Sequence, residues 1–386
     1  MYTVGILRGP SLNPYEGQCF EKLPKYGFQP VGITTYDNSV NLSEIHFPVR
    51  VGHNFKTLTK GKLRPLLSVV GKVTKYNFAS FNLRVFNLKK LTSDLDIIYS
   101  ADSWYPYTYQ AVKSGIPTIV MEWENIPHNV EELPYRKIKK YNNEHATHFV
   151  AITEKAKEAL VTEGVAPYRI SVVPAGIDCE RFKPTERDTQ VAEKIGVSKD
   201  SIRILFVGRL APEKGIFDLL NAFSMLRRNV QNVELLIVGS GSSVMQLQIS
   251  RFIANLKIAD KVKLLGSLEY PNMPPIHNLA DVFCLPSVPT KTWAEQFGYA
   301  MVEAMACGKP VVSTSTGSIP EVVKDRATGI FVKPNDPNGL ESALEELIIN
   351  KQERDTFGRN GREWVLEKFE ANKIAGQLAN IYCKFI

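Results

Sequence analysis

The sequence predicts an α/β protein made of two doubly wound parallel sheets. Three observations predict it. Apolar runs of strand length alternate with amphipathic segments of helix length throughout the chain. At 386 residues the chain exceeds one ordinary core and suits two domains. A polar stretch carrying two prolines, "PAGIDCERFKPTERDT" from Pro174, interrupts the alternation near the middle.

Taken in order, "YTVGIL", "DIIYS", "PTIVM", "HFVAIT" and "ISVVPA" read as buried parallel strands of the first half. "IRILFVG", "VELLIVG", "VKLLG", "VFCLPS", "PVVST" and "GIFV" do the same in the second half. Between them lie "IFDLLNAFSMLRR" and "GLESALEELIIN", whose apolar residues fall at helical spacing. The expected division is a first domain over residues 1–182, a linker over 183–200 and a second domain over 201–364. Two such sheets facing each other would turn their carboxyl ends toward one cleft, where ligands of doubly wound sheets bind.

Composition narrows the class. Hydrophobic residues at 44% and charged residues at 23% are those of a water-soluble globular protein. The five cysteines, Cys19, Cys179, Cys284, Cys307 and Cys383, have no metal-ligand spacing and favour a reducing compartment. "MYTVGILRGP" runs straight into a strand pattern, and no apolar run approaches a spanning length. The expected location is cytoplasmic. Net charge is +7, unevenly spread: Ile45 to Ser93 holds ten Lys or Arg and no Asp or Glu, with apolar residues interleaved. That stretch fits either a solvated basic face or a contact with phosphates or the inner face of the cell membrane. Nothing resembles a nucleic-acid-binding module.

Four places carry chemistry. Gly208 closes the strand "IRILFV", and "RLAPEKG" follows, so Arg209 and Lys214 leave a strand's carboxyl end where a helix begins. Two cations there suit a pyrophosphate. "VGSGSSV" supplies Gly239 and Gly241 but Val244 where a dinucleotide fingerprint needs a third glycine. It reads as a tight turn that lets a nucleotide approach the backbone. "RGPSLNPYEGQCFEKL" sets Gly9 and Gly17 around a loop, with a helix expected from about Gln18. "WAEQFGYAMVEAMACGKPVV" places Glu295 and Glu303 eight positions apart. Were that span wholly helical, they would lie about 12 Å apart along the axis, beyond the roughly 5–9.5 Å of a hydrolase pair. They suit the two ends of one elongated ligand: ribose hydroxyls at Glu303, hydroxyls of a sugar at Glu295. Phe297 and Gly298 offer backbone N–H groups at the helix start. Asp94 and Asp96 in "SDLDIIY" match an Asp-x-Asp pattern but enter a strand, where a cap on the preceding helix is expected. No metal and no obligatory cofactor are expected.

The stretches "FVGRLAPEKGIFDLLNAF", "EQFGYAMVEAMACGKPVVSTSTGSIPEVV" and "VVPAGIDCERFKP" resemble the retaining glycosyltransferases of family 4, which have the GT-B fold. The resemblance implies two facing Rossmann-like domains with a nucleotide-sugar cleft, the first on the acceptor side and the second binding the donor. It implies that a terminal helix, about 365–386, returns to the first domain. It assigns the donor to Gly17, Gly208, Arg209, Lys214, Gly239, Leu265, Glu295, Phe297, Gly298, Tyr299 and Glu303, with Glu295 and Glu303 as the family's Glu-x7-Glu motif. Many members carry a histidine after the strand that reads "GIPTIVM" here; Trp123 stands at that place, with Glu122 and Glu124 beside it and His128 five residues on. Glu124 and His128 are the candidates for orienting the acceptor, alongside Arg209, Lys214 and Glu295 as catalytic residues. The implied reaction moves a hexose from a UDP- or GDP-sugar to a lipid-linked, glycan or anionic acceptor. A glycosyl phosphorylase or a nucleotide-sugar epimerase would use the same architecture.

Overall fold

The computed structural model describes residues 1–38, 40–59 and 78–386. Of the basic stretch Ile45–Ser93, Lys60, Lys62, Arg64, Lys72 and Lys75 therefore lie outside the described residues. The chain divides into two compact units: Met1–Gly176 with Ala371–Ile386, and Ile177–Glu370. Residues 183–200 belong to the second unit and contain the helix Thr189–Ile195, which Asp188 caps from its side chain.

The first unit holds seven described strands: β1 (Tyr2–Gly9), β2 (Phe28–Thr35), β3 (Val49–Gly52), β4 (Ile97–Ala101), β5 (Thr118–Glu122), β6 (His148–Ala151) and β7 (Ile170–Val172). Their order is β3-β2-β1-β4-β5-β6-β7, every neighbour pair parallel. β1, β4 and β5 are buried almost throughout, which is why they read as unbroken apolar runs. β2 and β3 escape the sequence pattern. β2 carries Pro30 and Gly32 in its interior, and both weaken a strand signal. Pro30 is tolerated because β3 joins β2 only from Gly32 onward, so no partner on that side needs its missing N–H.

The first loop also differs from expectation. The helix begins at Pro14, not near Gln18, because the Asn13 side chain accepts the Glu16 N–H at 2.9 Å. Asp94 does not cap the preceding helix. It pairs with Arg50, through Oδ2 at 2.7 Å, while Asp96 Oδ2 accepts the Thr3 N–H at 2.7 Å. The terminal segment Ala371–Tyr382 is a helix of this unit, and Tyr382 stacks edgewise on Phe28 and Tyr99.

The second unit holds six described strands: β8 (Ile202–Val207), β9 (Val233–Val238), β10 (Val262–Gly266), β11 (Val282–Leu285), β12 (Val311–Thr314) and β13 (Gly329–Val332). Their order is β10-β9-β8-β11-β12-β13, again all parallel. The amphipathic helices Ile216–Asn229 and Pro337–Ile349 pack their apolar faces inward: Leu219, Leu220, Phe223, Leu340, Leu344 and Leu347 are all buried. Among the described residues no helix is long and apolar enough to cross a membrane.

Candidate functional site

In the second unit, strand order reverses between β8 and β11, whose connections leave in opposite directions. Ligands of doubly wound sheets bind at the carboxyl ends beside such a reversal. The loop after β8 carries Gly208, Arg209 and Lys214. The loop after β11 carries Ser287, Trp293 and Glu295. Residues 81 positions apart in sequence meet here: Lys214 Nζ lies 2.7 Å from Glu295 Oε2. Ser287 Oγ donates to the same oxygen at 2.8 Å, and the Lys214 ammonium sits 4.6 Å from the centre of the Trp293 ring. Glu295 is 6% exposed, so its charge needs these donors. Its carbonyl accepts the Ser318 N–H at 2.8 Å, fixing the loop's path.

Arg209 is mostly exposed and pairs with Glu213 at 2.6 Å. Both cations are thus matched by a carboxylate. An exposed ion pair is worth at most about 1 kcal/mol, so Glu213 holds Arg209 only weakly.

Glu295 and Glu303 are not on one helix. The helix is Tyr299–Ala306, and Gly298 precedes it in the left-handed region at φ +81°. Glu295 therefore belongs to the loop, and the 12 Å helical separation does not apply. Phe297 is a core residue, 1% exposed, with edge contacts to Tyr299 and Phe369. Glu303 points from the helix into a buried setting of different character. Its Oε1 accepts from Tyr270 Oη at 2.9 Å and its Oε2 lies 3.3 Å from His277 Nε2. His277 Nδ1 is buried without a hydrogen-bond partner among the described residues. Phe182 and Phe283 flank that ring. Burial beside Glu303 raises the Tyr270 hydroxyl well above its ordinary range, so it stays a donor. Glu295 is met by an ammonium and a hydroxyl; Glu303 is met by the Tyr270 hydroxyl and the His277 ring.

The glycine turn after β9 packs closely against the backbone of the loop after β8. A β-carbon on Gly239 would fall 1.8 Å from the Gly208 carbonyl oxygen, and one on Gly241 would fall 2.3 Å from that of Leu210. The room is filled by the protein's own backbone. Leu265 lies on edge strand β10 at an irregularity in its pairing with β9, half-buried.

The first unit reverses its strand order between β1 and β4. Gly17, in the helix Pro14–Gly17, is buried near Phe47. Both oxygens of Glu124 are engaged in bracing its loop, by Ile126 N–H and Asn129 Nδ2, each at 3.0 Å. His128 has φ +58°, its N–H donates to Glu163 at 2.8 Å, and its ring is mostly exposed. The carboxyl edge instead gathers residues that sequence reading passed over. Arg8, at the end of β1, pairs with Glu16. Asp102 follows β4, and Glu122 ends β5. No sequence signal marks Tyr270 or His277; the strand-end position of Arg8 and Asp102 is the one clue the sequence held.

Two parallel doubly wound units define a GT-B fold, and known proteins agree. Residues 188–364 match the family model described as glycosyl transferases group 1, and residues 52–181 match glycosyltransferase family 4. The chain belongs to these glycosyltransferases. It is 34% identical over 217 residues to a D-inositol 3-phosphate glycosyltransferase of Paenarthrobacter aurescens, covering 55% of this chain and 52% of that protein. It is 30% identical over 213 residues to a GDP-mannose-dependent alpha-(1-6)-phosphatidylinositol monomannoside mannosyltransferase of Mycobacterium tuberculosis, covering 55% of each. The matches thus span about half the length of these relatives. In fold it is similar to Anabaena HepE, solved with UDP and glucose, at a TM-score of 0.76 and 20% identity over the whole of both chains. A Rickettsia africae glycosyltransferase gives 0.75 at 20% identity, over 100% of this chain and 98% of that one.

Proposed function

We propose that the protein is a retaining glycosyltransferase that moves a hexose from a UDP- or GDP-sugar to an acceptor. The observation that carries this reading is the meeting of Lys214 with Glu295 at the β8–β11 reversal, with Arg209 on the same loop as Lys214 and Glu303 within the helix that follows Glu295. In the proposed reaction Arg209 and Lys214 bind the diphosphate, Glu303 accepts hydrogen bonds from ribose hydroxyls, and Glu295 receives hydroxyls of the transferred sugar. The bond between the anomeric carbon and the diphosphate oxygen breaks. The acceptor oxygen bonds to that carbon on the same face, and its proton leaves on the departing diphosphate. Charge growing on the leaving group is what Arg209 and Lys214 stabilise, an effect worth about 10²–10³ in rate per lost donor.

Replacing Arg209 by Ala is expected to lower transfer about a hundredfold with the fold unchanged by circular dichroism; ordinary turnover would remove it from this role. A phosphorylase would instead require inorganic phosphate, so donor consumption that depends on added phosphate favours that alternative. An epimerase would convert the nucleotide-sugar without any acceptor.

The acceptor we propose is lipid-linked, glycan or anionic, and the protein is proposed to work in the cytoplasm, peripherally at the inner face of the cell membrane. The basic character of Ile45–Ser93 supports this, as do relatives named for inositol phosphate and phosphatidylinositol monomannoside. Sedimentation with vesicles at low salt tests it: retention on phosphatidylglycerol vesicles and none on phosphatidylcholine is expected, and equal behaviour on both counts against it.

A further inference from the structure

We infer that Asp102, with Arg8 and Glu122, forms the seat for a neutral hydroxyl group of a sugar or polyol, the group that becomes glycosylated; this rests on the glycosyltransferase reading. Asp102 stands directly after β4, beside the end of β1, at the reversal point where ligands of such a sheet bind. Its backbone has φ +39°, a conformation that side chains adopt at a cost and that recurs at functional positions. The carboxylate is aimed by its neighbours. Its own N–H donates to the Met121 carbonyl at 2.7 Å, and Oδ1 accepts the Trp123 N–H at 2.9 Å. Oδ2 has no hydrogen-bond partner among the described residues.

Around it lie buried polar atoms that the protein does not satisfy. Arg8, 7% exposed, gives Nη2 to Glu16 while Nε and Nη1 have no partner. Glu122, 1% exposed, accepts the Ser103 N–H at 3.0 Å through Oε2 and leaves Oε1 unpartnered, as is Ser103 Oγ. Native proteins leave few such groups, and a concentration of them marks where something else binds. Both open donors and open acceptors are present, which is what a hydroxyl, itself donor and acceptor, complements.

Charge decides against a phosphate in the same seat. The groups facing Asp102 are Arg8 from β1, Glu16 from the first helix, Glu122 and Glu124 at the end of β5, and Tyr105 and Tyr107; Lys139 and Glu163 adjoin Glu122 and Glu124. With the Glu122 carboxyl raised to about 8 and so uncharged at neutral pH, four carboxyls stand against two cations, and an anion still meets net repulsion here. Burial pushes the Asp102 carboxyl up to about 6, with Glu124 and Glu16 adding to it and Arg8 opposing. At neutral pH it is ionised and accepts the hydroxyl's hydrogen bond.

The test is saturation-transfer NMR of methyl α-D-mannoside, methyl α-D-glucoside and myo-inositol 1-phosphate against the full chain with UDP present. The variant is Asp102→Asn, whose residue type tolerates φ +39°. We expect a neutral glycoside to bind the wild type and to weaken at least tenfold in D102N, with UDP affinity within twofold of wild type. Wild-type binding should also decline below pH 6 and that decline vanish in D102N. Binding unchanged in D102N, or no neutral glycoside bound by a protein that takes up UDP-glucose or GDP-mannose, overturns the inference alone. A protein that takes neither donor overturns the reading of function beneath it.

Discussion

Glu295 and Glu303 are equally buried, yet chemically they are opposites. A cation 2.7 Å away neutralises the first, whereas the Tyr270 hydroxyl and the His277 ring meet the second. Tyr270 then acts as a positioning residue for Glu303. Removing its hydroxyl in Tyr270→Phe is expected to raise the dissociation constant for UDP or GDP about tenfold, about one hydrogen bond to a charged group. Calorimetry measures it, and kcat at saturating donor should hold. An unchanged dissociation constant would mean that Glu303 is oriented without Tyr270.

At the scale of elements, the helix Tyr299–Ala306 depends on how its start is turned. Gly298 at φ +81° lets the chain leave the Glu295 loop and enter the helix within one residue. An added β-carbon would meet Met301 Cε at 2.1 Å, the mobile end of a flexible side chain, so the clash is relieved by a rotamer change. The backbone strain remains. Gly298→Ala is expected to cost about 1–2 kcal/mol of stability, read from denaturant midpoints at unchanged slope. Loss of donor affinity beyond that of a matched destabilising core variant would show that the turn also aims Glu295. The same helix explains how much was legible in sequence. "AMVEAMA" read as core because it is core, and Glu303 stood out as the one charge within it. The separation of Glu295 from Glu303 is not legible in the same way, because a glycine one residue before an apolar run does not announce which handedness it takes. Likewise β1 and β8 are readable as largely apolar runs, while β2 is hidden by Pro30 and Gly32, the proline tolerated because β3 joins β2 only from Gly32 onward.

For the molecule as a whole, the buried acids of the first unit set a pH dependence. Burial, then Asp102, raises the Glu122 carboxyl to about 8, above its value in an unfolded chain. The folded state therefore binds more protons than the unfolded state between about pH 4.5 and pH 8. Stability from this group is complete below that window and lost as pH rises through it. Glu122→Gln, which mimics the protonated form, is expected to be close to wild type in stability at pH 5 and more stable than wild type at pH 8.5. Urea denaturation at the two pH values measures this; a variant deficit that is equal at both would assign the raised value to another group.

The order of strand and helix, the two-sheet plan and the basic and acidic residues at strand ends were determined by the sequence itself, because apolar periodicity and strand-end position are local properties of the chain. Which charges neutralise one another was decided only in three dimensions. Lys214 and Glu295 are 81 residues apart and Arg50 pairs with Asp94 across 44, while the neutral hydroxyl of Tyr270 reaches Glu303 across 33. Such meetings follow from strand order, since a reversal in a parallel sheet brings distant loops to one edge, and strand order leaves no mark on the residues it joins.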